Sequence, residues 1–219
     1  MKWCFKLLLL IFFSSAAYSK NIEATYTVKG KGVPIGILKW ELEIKNGFYK
    51  TFIYLKSTGA TSLIYNFNGS YSSTGREVNG YFTPSLYKQR WVTKKKVREV
   101  EIIFENFKIK NLNLKPKEKE YSRINYLNLE NFNDPLTSFI NILLNEKPFR
   151  TIDGRRTYSL NPIKKPSFTK ILINDYKNIW ADHKRNDLEY LEFYKDKKNL
   201  LPKKINIKFK GSLFSLIKN

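Results

Sequence analysis

The sequence predicts a mainly β protein: a curled antiparallel sheet or incomplete β-barrel, with one short amphipathic helix packed on its concave face. Three observations lead to this fold class. A hairpin is centred on Asn46-Gly47, alternating apolar and polar segments recur between turn residues, and one helix signal stands alone after Asp134. Strands that follow one another without intervening helices form meandering antiparallel sheets, and a twisted sheet of about ten strands curls.

Residues 1–19 are predicted to be a secretory signal peptide, and residues 20–219 a single β-rich periplasmic domain. Lys2 and Lys6 form a basic start, the run 7–13 is apolar, and small residues lead to a cleavage site after Ser19. The apolar run is shorter than the ~20 residues of a membrane span, so we expect no transmembrane segment after cleavage. A retained N-terminal anchor is the alternative.

Cys4 is the single cysteine and lies within the predicted signal. The mature domain would therefore have no disulfide, no thiol nucleophile and no cysteine-bound metal. A domain of this size can bury enough core to fold without such staples, which fits a bacterial periplasm.

The chain carries a formal net charge of +21. In a cytoplasmic protein this charge would suggest a nucleic-acid partner, but the export signal argues against one. The anionic partners of an envelope protein are lipid headgroups, wall polymers and acidic proteins. The high content of lysine, asparagine, isoleucine and phenylalanine also fits an AT-rich genome, so the charge has a compositional explanation as well.

The hairpin at residues 37–56 reads ILKWELEIKNGFYKTFIYLK. Asn-Gly tolerates the positive φ angles of a two-residue type I′ turn. This turn would pair Trp40 with Ile53 on one face, and Leu42 with Thr51 on the same face. A slip of the register by one residue would expose Trp40, so the turn and the pattern specify the same pairing.

The other strands are predicted from shorter alternating segments between turn residues. In chain order these segments contain Tyr26 and Val28, Tyr81 and Phe82, Leu86–Val92, Val100–Phe104, Phe107 and Ile109, Thr157–Leu160, Phe168–Ile173, Leu188–Tyr194, and Ile205–Phe209. The charged stretch 115–120 is too short to separate two domains and predicts a surface loop.

The helix begins after Asp134, a favourable N-cap, with Pro135 at its first position, and it stops by Pro148. Its apolar residues fall at the spacing of one helical face, namely Leu136, Phe139, Ile140, Leu143 and Leu144. Burying five such side chains would contribute about 10 kcal/mol before entropy is counted, so this face must lie on the sheet.

Two interpretations of the helix remain open. It could be a core plug that completes the burial of Trp40 and Leu42. It could also be a lid over an apolar cavity that accepts a lipid-like chain, since small-molecule sites are concave and mostly apolar. The volume under the helix distinguishes these two interpretations.

The segment DGRRTY, from Asp153 to Tyr158, is the strongest candidate for a site. Asp153-Gly154 predicts a turn, and Arg155 and Arg156 could bind a phosphate or carboxylate in a bidentate manner. One arginine could equally be an internal ion-pair partner of Asp134 or Asp153. The predicted ligand-binding residues are Arg155, Arg156, Trp40, Leu42, Leu136, Phe139, Ile140 and Leu143.

The segment YKQRWVTKKK interleaves aromatic and basic residues, as a strand at an anionic membrane surface would. The candidate contact residues are Arg90, Trp91, Lys94, Lys95 and Lys96. The alternative is a solvated edge hairpin whose lysines prevent aggregation.

We predict no catalytic residue, no metal and no cofactor. His183 is the single histidine and lies near Asp182 and Asp187 in a polar stretch that predicts a loop. The sequence has no nucleophile elbow, no calcium-loop spacing and no phosphate-binding glycine loop.

Four segments together resemble a secreted bacterial family known as domain of unknown function 3108: DPLTSFINILL, TIDGRRTYSL, GYFTPSLYKQRW and LLPKKINIKFKG. The order and spacing of these segments carry the resemblance, which covers nearly the whole predicted mature chain. It implies an envelope location and a curled antiparallel sheet similar in outline to the lipoprotein carriers LolA and LolB.

The sequence therefore predicts a periplasmic protein that binds rather than catalyses. Its predicted ligand is a lipid-like or amphiphilic envelope molecule held between sheet and helix, with the two arginines near the anionic head. The alternative is an interaction or scaffolding module that docks envelope proteins or anionic polymers through edge strands and a basic face.

Overall fold

The computed structural model describes residues 19–64, 66–180 and 187–219. In these residues, fourteen strands form one sheet and two α-helices accompany it. The strands are β1 (Ser19–Gly30), β2 (Val33–Lys45), β3 (Phe48–Ser57), β4 (Phe67–Val78), β5 (Tyr81–Thr93), β6 (Val97–Glu105), β7 (Lys108–Lys115), β8 (Phe132–Asn133), β9 (Phe149–Ile152), β10 (Arg156–Lys164), β11 (Phe168–Asn178), β12 (Leu188–Tyr194), β13 (Lys204–Phe209) and β14 (Ser212–Lys218). The helices are α1 (Ala60–Ile64) and α2 (Pro135–Asn145).

Strands that are consecutive in the sequence are neighbours in the sheet, except that β1 pairs with β14 and so joins the two halves of the sheet. Strands β1 to β7 pair in sequence order, β8 to β14 do the same, and β1 pairs with β14. All pairs are antiparallel except β8 with β9. Within the described residues, β7 approaches the segment just before β8 at the bridge between Lys108 and Glu130, where Asn131 N–H donates to the Phe107 carbonyl at 2.8 Å. The result is a nearly closed barrel, which confirms the predicted fold class.

The predicted hairpin forms in the predicted register. Trp40 pairs with Ile53 and Leu42 with Thr51, on either side of a turn in which Asn46 and Gly47 both have positive φ. Trp40 Nε1 donates a hydrogen bond to Thr51 Oγ1 at 2.9 Å, so the buried indole N–H has a partner. Alternation and turn chemistry agree here, and the local prediction is confirmed.

The prediction of about ten strands is too low, because strands β4, β8, β9 and β14 lack a clear alternating pattern. Strand β4 reads FNGSYSSTGREV, and its glycines and serines are poor strand formers. Its inward glycines make room for large neighbours: a Cβ at Gly69 would lie 2.8 Å from Trp91 Cε3, and a Cβ at Gly75 would lie 2.8 Å from Tyr49 Cε1. These glycines serve close packing across strands, which their own propensity does not reveal.

Helix α2 lies across the barrel end that carries the turns at 46–47 and 79–80, which we call the helix end. Its N-cap is Asp134, whose Oδ1 accepts hydrogen bonds from the N–H groups of Leu136 and Thr137. Farther along, Asn141 exchanges two hydrogen bonds of 2.8 Å with the backbone of Phe82. The predicted cap and helix bounds are confirmed.

The buried surface of α2 is wider than one apolar stripe, and it excludes Leu144. That side chain is 47% exposed, which makes its predicted burial wrong. Residues on the polar side of the helix are buried instead, namely Thr137, Ser138 and Asn141, together with Ile142. Side chains of the helix form hydrogen bonds with β3, β4, β5 and β9. These polar contacts orient the helix differently from the orientation that its apolar stripe alone would favour.

Candidate functional site

The space between helix and sheet is filled by the residues predicted to line a cavity. Trp40, Leu42 and Ile140 are 2%, 1% and 0% exposed, and all three belong to one continuous core. Leu136 is also buried there, while Phe139 and Leu143 are partly buried against it. The Phe139 ring meets the Phe193 ring edge-on at a centroid distance of 5.7 Å. These side chains fill the space by contacting one another.

A small opening remains between the C-terminal half of α2 and the sheet. Its volume is about 140 Å³, and it is lined by Ile142, Leu143, Glu146, Thr169, Phe193, Lys195, Asp196, Asn199, Leu200 and Pro202. Sites for drug-sized ligands measure roughly 300–1,000 Å³, and a cavity of about 150 Å³ holds a molecule the size of benzene. This opening is too small for a lipid chain, which favours the core-plug interpretation of α2.

A buried polar cluster surrounds the N-terminus of α2. Asp134 Oδ2 accepts hydrogen bonds from Ser73 Oγ, at 2.8 Å, and from Thr137 Oγ1. The Tyr49 hydroxyl is bonded to both of these hydroxyl groups. Burial raises the pKa of the Asp134 carboxyl, although the hydrogen bonds from Thr137, Ser73 and Leu136 oppose that shift. All four side chains are inaccessible, so the cluster attaches the helix to β3 and β4 and does not form an open site.

An ion-pair cluster closes the other end of α2. Glu146 lies in the left-handed region at the C-cap and pairs with Lys195 and, at 3.1 Å, with Lys164. Thr169 Oγ1 donates to the same carboxylate at 3.1 Å. The hydrogen bond from Lys195, followed by those from Lys164 and Thr169, lowers the pKa of Glu146 to about 2. These contacts join the helix to the second half of the barrel.

The turn between β9 and β10 has the predicted Asp-Gly form. Asp153 Oδ1 accepts from the N–H groups of Arg155 and Arg156 at 2.9 and 2.8 Å. Gly154 has φ +90°, and a Cβ at this position would lie 2.4 Å from Val100 Cγ1, so only glycine fits. Trp180 Nε1 donates to the Gly154 carbonyl at 3.1 Å. The turn therefore packs against β6 and helps to close the barrel at its other end, which we call the arginine end.

The two arginines of this turn have different internal partners. Arg156 Nη1 lies 3.3 Å from Asp153 Oδ2, as one of the two interpretations of the sequence predicted. Arg155 pairs instead with Glu118, a residue of the charged loop after β7. None of their described contacts is with α2, so the structure does not bring the arginines together with the predicted apolar lining as one site.

The predicted anionic-surface residues do not share one face. Arg90 and Trp91 are neighbours on β5 and therefore point to opposite sides of the sheet. Arg90 pairs on the outer wall with Glu99 at 3.1 Å, whereas Trp91 stacks on Phe67 at a centroid distance of 5.2 Å. Lys94, Lys95 and Lys96 are exposed at the turn between β5 and β6, at the arginine end.

The sequence did not predict a groove beside the open edge of the sheet. We call it the seam groove; its volume is about 610 Å³. One wall is β7 and the other is the segment that follows it, and the lining residues are Leu112, Asn113, Leu114, Lys117, Glu118, Glu120, Tyr121, Ser122, Ile124, Asn125, Tyr126, Leu127 and Trp180. Tyr121 is 95% exposed, and Ile124 and Leu127 are exposed as well. The sequence signal that could have identified this groove is the presence of these three large apolar residues in a loop that begins with a run of charged residues.

A second groove of about 630 Å³ crosses the outer wall of β3 to β7. Its charged side chains pair with one another, with Lys88 3.0 Å from Glu101 and Arg90 3.1 Å from Glu99. The interior strands beneath it, β4, β5 and β6, are paired on both sides, so their backbone is already hydrogen-bonded. The outer groove therefore offers a partner fewer unpaired charges and fewer free backbone N–H and C=O groups than the seam groove.

Within the described residues, no three histidine, cysteine or acidic side chains converge to hold a metal ion. His183 and Asp182 lie outside the described residues, as does the predicted signal peptide apart from Ser19. No helix among the described residues is both long enough and apolar enough to cross a membrane.

The fold and its grooves define a barrel-like β protein, closed by a helix at one end, that is compatible with binding a ligand. A crystal structure from Brucella abortus, described as a beta-barrel-like protein of domain of unknown function DUF1849, is similar with a TM-score of 0.58. The similarity covers 90% of this chain and 95% of that chain at 11% sequence identity, which supports the fold alone. No family model and no curated protein matches the chain.

Proposed function

We propose that this chain is a non-enzymatic binding module of a bacterial cell envelope, and that it binds an extended segment of a partner protein along β7. The observation that carries the proposal is the seam groove, which combines an open strand edge with exposed apolar side chains. The envelope location rests on the predicted export signal and on the resemblance to the domain of unknown function 3108 family.

The edge of β7 is the first support. Beyond the bridge at Lys108, no strand of the described residues pairs with the outer edge of β7. An unpaired strand edge presents N–H and C=O groups that an added strand can bind. Extended peptides use such edges widely, with backbone hydrogen bonds for affinity and side-chain pockets for specificity.

The apolar side chains of the seam groove are the second support. Tyr121, Ile124 and Leu127 are exposed beside Leu112 and Leu114 of β7. Exposed apolar groups that converge on one groove are typical of binding sites, whereas scattered ones are not. Since alternate side chains of a strand point the same way, an added strand would place every second residue against this wall.

The charge of the region indicates the chemistry of the partner. Between Lys108 and Lys119 the chain has five lysines and one glutamate, and three of these lysines, Lys108, Lys110 and Lys115, pair with nearby glutamates. The two glutamates that line the groove, Glu118 and Glu120, pair with arginines. Among the described residues, Lys117 and Lys119 have no ion-pair partner in the structure, and Lys117 lines the groove. We therefore propose an acidic extended segment, whose carboxylates would be attracted to this edge.

The hypothesis of an amphiphile between sheet and helix stays a prediction. An opening of about 140 Å³ does not favour it. An anionic polymer remains the other possible occupant of the basic surface, and crosslinking separates it from a protein segment.

Site-specific photo-crosslinking in the native bacterium tests the proposal. A photoreactive phenylalanine analogue would replace Tyr121 in the seam groove or, as the matched control, Leu144 at the helix end, which is also exposed. We expect Tyr121 to crosslink one protein through an acidic stretch without proline, and a synthetic peptide of that stretch to bind. The same peptide with alternate backbone nitrogens methylated should bind at least about tenfold more weakly, because it has lost strand hydrogen bonds.

Three outcomes would contradict the proposal. Equal crosslinking from Tyr121 and Leu144 would mean that the seam groove is not selective. Crosslinks to lipid or wall polymer alone would assign the surface to a different partner. Full binding by the methylated peptide would exclude strand addition.

A further inference from the structure

The arginine end of the barrel contains guanidinium groups whose hydrogen-bonding capacity is only partly used. Arg155 Nε and Arg156 Nε are buried, and neither has a hydrogen-bond partner in the described structure. A buried unsatisfied donor is destabilising, and more so when it is charged. The two residues are adjacent in one turn, and the charge of Arg156 is close enough to lower the pKa of Arg155, so both deficits occur in one region.

Positive charge is concentrated in the same region. Burial lowers the pKa of Arg155, and the nearby positive charges of Arg98 and Arg156 lower it further. The pKa of Arg156 is raised instead. Burial lowers this pKa, but Asp153 and other acidic groups, Asp187 among them, raise it by more. Among the described ion pairs, each guanidinium has one carboxylate partner, and Arg155 also lies near two other positive charges.

Glu118 is the only carboxylate that forms an ion pair with Arg155 among the described residues. It lies in the loop after β7, where Pro116 also offers its carbonyl oxygen to Arg155 Nη2 at a long 3.4 Å. Neither partner reaches Nε. A single carboxylate from a surface loop thus occupies a guanidinium that has further donors available.

We propose that Arg155 and Arg156 bind an oxyanion of the phosphate class, and that Glu118 occupies Arg155 until such an anion displaces it. A tetrahedral phosphate presents more acceptor oxygens than a carboxylate, in several directions, and can accept hydrogen bonds from two guanidinium groups at once. The Asp153 carboxylate remains in place because it is bound within the turn. Glu118 also lines the seam groove, but Arg155 and Arg156 do not, so this site does not depend on strand addition at β7.

The phosphate could be a free ion or the headgroup of a lipid. Both present the same oxyanion to the two arginines, so the proposal names the phosphate group that they share. Inorganic phosphate and vesicles of phosphatidylglycerol are the probes that separate the two sources.

Nuclear magnetic resonance of the arginine Nε–H groups tests the site directly. We expect the Nε–H signals of Arg155 and Arg156 to shift and saturate as inorganic phosphate is added, and not when sodium chloride is added to the same ionic strength. The Nε–H signal of Arg90, which is bonded to Glu99 on the outer wall, is the internal control and should not saturate.

Two variants separate the roles of the residues. Glu118→Gln should tighten phosphate binding, by about tenfold if the competing ion pair contributes about 1.4 kcal/mol. Arg155→Gln should abolish saturable binding, while the matched Arg90→Gln variant, with the same loss of charge, should not. Thermal unfolding of each variant shows whether it is folded.

Saturation by phosphate alone identifies a site for a free oxyanion, and saturation by vesicles alone identifies a headgroup site. Either result supports the proposal. It is overturned if neither probe shifts the two Nε–H signals, or if Glu118→Gln weakens binding. Crosslinking at Tyr121 is unaffected by these outcomes, so the two proposals fail separately.

Discussion

At the scale of single residues, Asp134 combines two roles that conflict. As an N-cap it accepts two backbone hydrogen bonds, and it is also fully buried beside hydroxyl groups. The ionised carboxylate suits the donors, but burial disfavours its charge and raises its pKa. The sequence predicted the cap, whereas its burial depends on Tyr49 and Ser73, which come from distant strands.

Replacing Asp134 by asparagine tests this conflict. Asparagine caps helices about as well as aspartate and cannot ionise. A carboxyl whose pKa is raised in the folded state contributes stability below its unfolded pKa, and this contribution is lost as the pH rises through the folded pKa. We therefore expect Asp134→Asn to gain stability relative to the wild type as the pH rises, measured by urea unfolding across the pH range. If the wild type instead became more stable relative to the variant as the pH rises, the buried carboxylate would be stabilised in its ionised form.

Glu146 presents the opposite case, because its pKa is lowered to about 2 from an ordinary value of 4.5. A lowered carboxyl pKa contributes stability above the unfolded value, and this stability is lost as the pH falls through the folded value. Glu146→Gln should cost about 1–2 kcal/mol at neutral pH, a figure reduced for the partial exposure of the cluster. The free energies of unfolding of variant and wild type should converge between about pH 4.5 and pH 2. An unchanged difference across that interval would show that the ion pairs do not stabilise the fold.

At the scale of elements, α2 shows how packing selects the orientation of a helix. Its apolar stripe is real, but buried hydroxyl and amide groups on the other side hold it with specific hydrogen bonds. Unpaired polar groups are costly inside a core, so these bonds fix the rotation of the helix and leave Leu144 in solvent.

A pair of alanine substitutions in α2 measures that orientation. Ile140 is 0% exposed and Leu144 is 47% exposed, yet both belong to the apolar stripe in the sequence. Ile140→Ala should destabilise the protein by about 2–5 kcal/mol through lost burial and a cavity, while Leu144→Ala should change stability by less than about 0.5 kcal/mol. Chemical unfolding gives both values. Equal losses at the two positions would mean that the helix is rotated differently.

The elements also show which structural features can be predicted from the sequence. The hairpin at Asn46-Gly47 and the helix after Asp134 are encoded locally, by a turn dipeptide and a cap next to periodic residues. Strand β4 was not predicted, because its inward glycines accommodate Trp91 and Tyr49 across the sheet. The seam groove was not predicted either, because it forms where β7 meets a loop that carries no regular pattern.

At the scale of the whole molecule, one sheet of fourteen described strands curls until its terminal strands nearly meet. The helix fills one end, and the arginine turn packs against β6 near the other. The sequence predicted the curled sheet and the helix, but left open whether the helix plugs a filled interior or covers a cavity. Closure is a long-range property, since it joins β1 to β14 and β7 to the segment before β8. We propose the open edge of this sheet as the surface that binds a partner.

Amide hydrogen exchange, with and without the acidic peptide mapped by crosslinking from Tyr121, tests the central claim most directly. In the free protein, alternate amides of β7 should exchange faster than those of β2, which has a partner strand on both sides. The peptide should slow exchange in β7 and leave α2 and the strand around Trp40 unchanged. Protection that appears around Trp40 and Ile140 while β7 is unaffected would instead place the ligand under the helix, and would contradict strand addition at the seam groove.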